Sequence, residues 1–129
     1  MPRKASRPRR PRSPLHAAFE PVRRAATGLP EVEESTSYGT PSLKVRGKFL
    51  TRLKEDGETI VLRADFDSRD AMVRMQPDVF YITDHYRDYP AVLVRLKKVG
   101  RAQLRELIAD GWRLVAPRSL AAKQRDGSD

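Results

Sequence analysis

Apolar and polar residues recur with two different periods along this chain, and the changes of period divide it into elements. Leu15, Ala18, Phe19, Val22 and Ala26 fall at helical spacing, with Ser13 as the candidate N-cap, Pro14 at the first helical position and Gly28 as the stop. Pro21 lies inside that window, and its missing N–H predicts a separate short piece or a kink. The period then falls to two. A strand is predicted near Val32–Tyr38, a turn at Gly39–Pro41 and a second strand from Ser42.

Asp56-Gly57 predicts a type I′ hairpin, because both central residues of that turn need positive φ. A two-residue loop there pairs Leu53 with Ile60, Thr51 with Leu62 and Phe49 with Ala64, and leaves Arg52/Val61 and Leu50/Arg63 on the opposite face. For the preceding connection, a two-residue loop at Gly47-Lys48 would place Leu43 opposite Arg52. A three-residue loop at Arg46–Lys48 keeps Leu43 and Val45 on the face of Phe49 and Thr51, and is the expected register. It leaves Lys44, Leu50, Arg52 and Arg63 on the second face, with Arg46 and Lys48 at the hairpin tip.

DSRDAMVRM then reads as a short helix capped by Asp67 or Ser68, with Ala71, Met72 and Met75 inward and Pro77 preventing continuation. VFYIT and AVLVRL read as strands. The closing helix, GRAQLRELIADGWRLV, carries a stripe of Leu104, Leu107, Ile108, Trp112 and Val115, which marks Trp112 as core. The order helix, three or four strands, helix, two strands, helix predicts an antiparallel sheet with helices packed on one face, a two-layer α+β domain.

Composition changes this picture at the ends. A chain of 129 residues suits one domain with a core of its own. The absence of cysteine excludes disulfides and thiolate metal sites and fits a reducing cytoplasm. No apolar run approaches the ~20 residues of a membrane span, and no apolar segment follows the N-terminal arginines as a signal peptide would require. The net charge of +9 is uneven: residues 1–14 hold six Lys/Arg, no acid and four prolines, and residues 15–129 carry only +3. A disordered arm over 1–14 is expected, then a domain over 15–120 and a polar, frayed tail over 121–129. Arg9, Arg10 and Arg12 in the arm would attract a polyanion, although the arm reads equally as a solubilising leader.

The densest run of chemistry is YITDHYRDYP, residues 81–90. His85 follows Asp84, but neighbours in an extended segment point to opposite faces, and no serine or threonine sits in an elbow motif. No catalytic residue is assigned, and a non-enzymatic protein is expected. His85, Asp84 and Asp88 are too few for a metal site, His16 lies elsewhere, and Gly47 and Gly57 belong to hairpins, so neither metal nor cofactor is expected. The run reads either as a loop whose Tyr86 and Tyr89 cover the sheet edge, or as a surface where His85, Tyr86 and Arg87 meet an anionic partner. Lys44, Arg46, Lys48, Arg52 and Arg63 read likewise as a solvated sheet face or as a basic hairpin beside the arm. With Glu55, Asp56 and Glu58 at the far end of the meander, positive charge is expected to concentrate around the first hairpin.

Three blocks in order, LPEVEESTSYGTPSLKVRGKFLTRL, VFYITDHYRDYPAVLVRL and LRELIADGWRLVAP, resemble the MmcQ/YjbR family of small bacterial proteins over residues 29–120. The family pattern falls on Gly39, Pro41, Gly47, Lys48, His85, Tyr86, Pro90, Arg95 and Trp112, whereas Asp88 stands where many relatives have glycine. The resemblance implies a compact domain with a curved antiparallel sheet, in agreement with the order read from the pattern. It also implies DNA binding, the designation that members commonly carry. The expected function is therefore non-enzymatic DNA binding in the cytoplasm, with phosphates contacted by the basic hairpin and the arm and with no membrane partner. The alternative is an adaptor that offers its sheet face to a protein or a small anionic ligand.

Overall fold

Pro21 divides the N-terminal helix as its missing N–H requires: α1 spans Pro14–Ala18, α2 spans Glu20–Ala25, and Phe19 lies between them. The computed structural model describes residues 14–120, so the expected arm with Arg9, Arg10 and Arg12, the Ser13 cap and the tail over 121–129 lie outside the described residues. Arg23 ties the two helical pieces to the sheet. Its Nη1 donates to the His16 carbonyl at 2.9 Å and its Nε to the Glu34 carboxylate at 3.0 Å.

After α2 come β1 (Val32–Ser37), β2 (Thr40–Val45), β3 (Lys48–Leu53), β4 (Thr59–Arg63), α3 (Phe66–Met75), β5 (Phe80–Tyr81), a 3-10 turn at Asp84–Tyr86, β6 (Ala91–Arg95) and α4 (Arg101–Val115). All pairs are antiparallel in the order β1-β2-β3-β4-β6-β5, with β6 inserted between β4 and β5. This is the expected two-layer α+β arrangement. The helical layer packs Phe19, Val22, Leu104, Ile108 and Trp112 against Leu43, Val45, Leu53, Ile60, Leu62, Val92 and Val94. Trp112 is 1% exposed, and its indole N–H donates to the Pro30 carbonyl at 2.9 Å, so it is core with its polar group satisfied. At Gly111, α4 comes so close to the sheet that a Cβ would lie 2.9 Å from the Arg63 carbonyl oxygen and 3.0 Å from Leu50 Cδ1.

The turns depart from the sequence reading. The β1–β2 connection is the pair Tyr38-Gly39, with φ of 54° and 79°, and β2 starts at Thr40 rather than Ser42. The β2–β3 loop is Arg46-Gly47, not Arg46–Lys48: Val45 pairs with Lys48, and a bulge follows so that Lys44 pairs with Phe49 and Leu43 with Thr51. Leu50 is the extra residue, which supplies the offset that a longer loop was expected to provide. The bulge exchanges two side chains between faces. Leu50 enters the helix-covered core and is fully buried, while Phe49 joins the opposite face.

The β3–β4 register is as expected, with Leu53 opposite Ile60 and Thr51 opposite Leu62, but the ladder does not extend to a Phe49–Ala64 pair. Of Asp56-Gly57 only the glycine is left-handed, at φ 72°. The Gly57 N–H donates to the Lys54 carbonyl at 3.0 Å, and the Asp56 carboxylate accepts the Glu58 N–H at 2.8 Å. That is a type I turn closed by a left-handed glycine, and it preserves the register of the tighter turn.

The cap of α3 is Asp65 rather than Asp67 or Ser68, with its carboxylate accepting the Ser68 N–H at 2.8 Å. Hydrogen bonds from the Ser68 backbone and then its side chain hold the Asp65 carboxyl below the usual aspartate range, against a smaller opposing effect of desolvation. Met75 points to solvent and Ala71 and Met72 are half-buried. The residue that α3 buries is Arg69.

Candidate functional site: the open face of the sheet

Because side chains alternate along a strand, Val61, Ala91 and Leu93 point away from the helices and form a second, smaller cluster with Phe49, Tyr81 and Tyr86. Residues 83–90 fold over this face. Their turns close through Tyr86 N–H to the Thr83 carbonyl at 2.9 Å and Tyr89 N–H to the Tyr86 carbonyl at 3.1 Å. Arg69 reaches across from α3 to lock them. Its buried Nη1 donates to the carbonyls of Tyr86, Arg87 and Tyr89 at 3.1, 3.2 and 2.9 Å, while its Nε meets the Asp70 carboxylate at 3.0 Å. The three rings held this way form one group, with His85 edge-on to Tyr86 at 4.7 Å and Tyr86 6.4 Å from Tyr89.

Between this loop and the β1–β2 turn runs an open groove of about 670 Å³, bounded by Tyr38, Phe49, Tyr86 and Tyr89 and carrying Arg52 and Arg63. Arg52 was expected on a solvated basic face, yet it is only 7% exposed. Its guanidinium donates to Thr40 Oγ1 at 3.4 Å, the Leu53 carbonyl at 3.2 Å and the Tyr86 hydroxyl at 3.3 Å, and Glu55 lies 3.6 Å away. It also lies under the Tyr38 ring, 4.9 Å from the centroid. Arg52 therefore braces the two tyrosines rather than waiting for an anion. Arg63 is half-buried and spends one donor on the Pro90 carbonyl at 3.4 Å. Lys54 Nζ sits 5.9 Å from the Tyr86 ring.

The structure thus gathers Arg52, Arg63, His85 and Tyr86 in one groove and, among the described residues, places the other expected contacts outside it. Lys44, across from Phe49, and Lys48, exposed at the start of β3, make no ion pair among the described residues. Arg46 lies 3.5 Å from Glu31, and Arg87 pairs with Asp84 at 2.7 Å in an exposed, screened contact. β1 lays Glu33 opposite Lys44 and so tempers, without an ion pair, the positive charge expected around the first hairpin, while Glu34, opposite Leu43, is spent on Arg23. Residues 14–120 hold 18 Lys/Arg against 15 Asp/Glu, a net of +3.

Two residues that build the site escaped the sequence reading. Arg69 received no role there, and half of FDSRDAMVRM is apolar, so nothing in the composition of this helix marks a cation as the residue it buries. Tyr38 ends the strand expected over Val32–Tyr38, whereas β1 stops at Ser37 and Tyr38 belongs to the turn beside Gly39. Among the described residues, no group of three or more metal-ligating side chains occurs, and no helix is long and apolar enough to cross a membrane.

The sequence profile of the YjbR family matches residues 27–114, which take in the whole sheet and nearly all of α4. The uncharacterized protein Mb2600 of Mycobacterium bovis is 30% identical over 119 residues, covering 81% of this chain and 92% of the relative. The uncharacterized protein Rv2570 of Mycobacterium tuberculosis matches with the same identity and coverage. No solved structure matches the chain.

Proposed function

The chain belongs to the YjbR family, and on that premise we propose that it is a non-enzymatic DNA-binding protein working through the open face of its sheet. Family membership supports the fold; the ligand class is argued from the chemistry of that face. The observation that carries the reading is the groove itself, where tyrosine rings stand beside Arg63 and Lys54 on a face that no helix covers. Arginine and lysine donors suit phosphate, and exposed rings suit bases. Arg63 keeps donors free, and Lys44 and Lys48 extend the cationic surface along the same hairpin. The six Lys/Arg of residues 1–14 add long-range attraction that the nearly neutral domain lacks. A cysteine-free DNA-binding chain fits the cytoplasm. His85 packs its ring against those of Tyr86 and Tyr89, an arrangement that suits a stacking surface.

The test is retention of the full chain on DNA as salt is varied. Each phosphate neutralised contributes roughly −0.9 to the log–log slope, so deleting residues 1–14 is expected to flatten it by about 2–4 units. Replacing Lys44, Lys48 and Arg63 by glutamine flattens it further, with equal losses on unrelated sequences, because phosphate contacts carry little sequence information. No salt-dependent retention at about 50 mM salt would remove the DNA reading. The second reading, a small anionic ligand, is favoured by the groove's volume of about 670 Å³, which falls in the usual range for small-molecule sites. Binding of that kind would depend weakly on salt.

A further inference from the structure

We infer that the groove takes unpaired bases of single-stranded DNA and that Tyr38 is the platform on which one of them stacks; the inference rests on the DNA-binding reading above. Tyr38 occupies the first central position of a two-residue turn with φ 54°, a left-handed conformation suited to glycine or asparagine. An aromatic residue there pays a conformational cost, and such cost is ordinarily repaid by burial. Tyr38 is 84% exposed. Burial does not recover the cost, and the one ring face that the fold engages leaves the other for a ligand to cover.

The ring is nevertheless not loose. One of its faces lies over the Arg52 guanidinium at 4.9 Å. That guanidinium is itself fixed by Thr40, by the Leu53 carbonyl and by the Tyr86 hydroxyl. A buried cation below and solvent above leave one π face oriented and vacant. A base laid on it would complete a stack of arginine, tyrosine and base, in which the cation polarises the ring and the ring carries the base. Across the groove Tyr89 is 57% exposed and offers a second ring, and Arg63 keeps donors for the phosphate between two bases. The charge is complementary: Glu55 is matched to Arg52 at 3.6 Å, while Arg63 and Lys54 have no acidic partner among the described residues. A duplex would gain little here, since its bases are already stacked on one another and it offers only edges and phosphates.

The experiment compares binding of the full chain to a labelled oligothymidylate of about 12 nucleotides, a duplex of equal length, and heparin. Tyr38→Asn keeps a residue that accepts the left-handed turn and removes the ring; Tyr38→Phe keeps the ring and removes the hydroxyl. Tyr38→Asn is expected to melt no lower than the wild type and to weaken oligothymidylate binding about 10-fold, with duplex and heparin binding changed by less than about 2-fold. Tyr38→Phe is expected to bind like the wild type. Unchanged oligothymidylate binding by Tyr38→Asn, or an equal loss on duplex, overturns the inference. If the wild type binds duplex as tightly as the single strand, the inference falls while the DNA-binding reading stands; if it binds no nucleic acid at about 50 mM salt, both fall.

Discussion

Replacing Arg69 by methionine removes the group that locks residues 83–90 over the open face while keeping most of the stem's packing volume. The magnitude follows from the bonds lost. Nη1 faces three carbonyls at 2.9–3.2 Å but carries only two N–H groups, so the contact is worth two charge-assisted hydrogen bonds, not three. At about 1.5–3 kcal/mol each, the loss would be about 3–6 kcal/mol if the carbonyls stayed dry. They do not, because residues 83–85 and 87–89 are exposed and water can replace part of the interaction. The bond to Asp70 adds little, since that carboxylate is 55% exposed. The expected cost is therefore about 2–4 kcal/mol, read as a lower urea midpoint. Hydrogen exchange separates local from global opening: the amides of Tyr86, Arg87 and Tyr89 should lose protection in Arg69→Met while those of Val92 and Val94 change only with global stability. Arg69→Lys retains the charge on a single nitrogen and should recover about half of the loss. An Arg69→Met protein within about 0.5 kcal/mol of wild type, with the exchange of Tyr86 and Tyr89 unaltered, would refute the claim that Arg69 holds the loop.

Gly111→Ala gains about 1 kcal/mol in helix propensity but drives a Cβ to 2.9 Å from the Arg63 carbonyl, which backbone cannot yield cheaply. A net destabilisation of about 1–2 kcal/mol is expected by thermal or urea unfolding, and a stabilised variant would contradict the close approach. Asp65→Ala removes the α3 cap and should cost about 1 kcal/mol near neutral pH. Because the Asp65 carboxyl is held low in the fold, its contribution is complete above the ordinary aspartate value and fades as pH falls through the lower folded value. Wild type and Asp65→Ala should therefore converge in stability below about pH 4, and a constant gap would dismiss the assignment. Trp112→Ala should cost about 3–5 kcal/mol, whereas His85→Ala, at an exposed ring, should cost far less in the same assay.

The layer order was legible because it depends on periodicity, which the chain displays openly. Helical spacing in α4 and the alternation through Leu53, Ile60 and Leu62 survive any choice of turn, since both report which side chains must leave water. Even the wrong turn type at Asp56-Gly57 left the β3–β4 pairs intact, because a type I turn with a left-handed glycine returns the strand in the same register. The cap of α3 was missed by two residues for a related reason. Asp65, Asp67 and Ser68 are all capping types, and the choice among them rests on which one stays extended, here Asp65 at ψ 160°.

The site was harder to read, because it depends on which face each residue of β3 adopts. Phe49 and Leu50 are both apolar, so hydrophobic pattern alone assigns the core to either one. The bulge decides it, and a bulge inside an apolar run leaves no compositional mark. Placing Phe49 on the open face supplies that side of the sheet with an apolar floor, and the floor lets Tyr86 fold down and meet Arg52. Arg52 could then not stay solvated. Once covered, its charge needed partners, and it found them in Glu55, Thr40 and the Tyr86 hydroxyl. A residue that sequence presents as one more surface cation thus becomes the buried support of two tyrosines. The functional consequence runs against the simplest electrostatic expectation: phosphate attraction falls to Arg63, Lys54, Lys44 and Lys48, while the most buried cation of the face acts by holding rings in place. Substituting Arg52 should accordingly disturb the shape of the groove, and with it the choice between single strand and duplex, more than the salt slope to which Lys44 and Lys48 contribute.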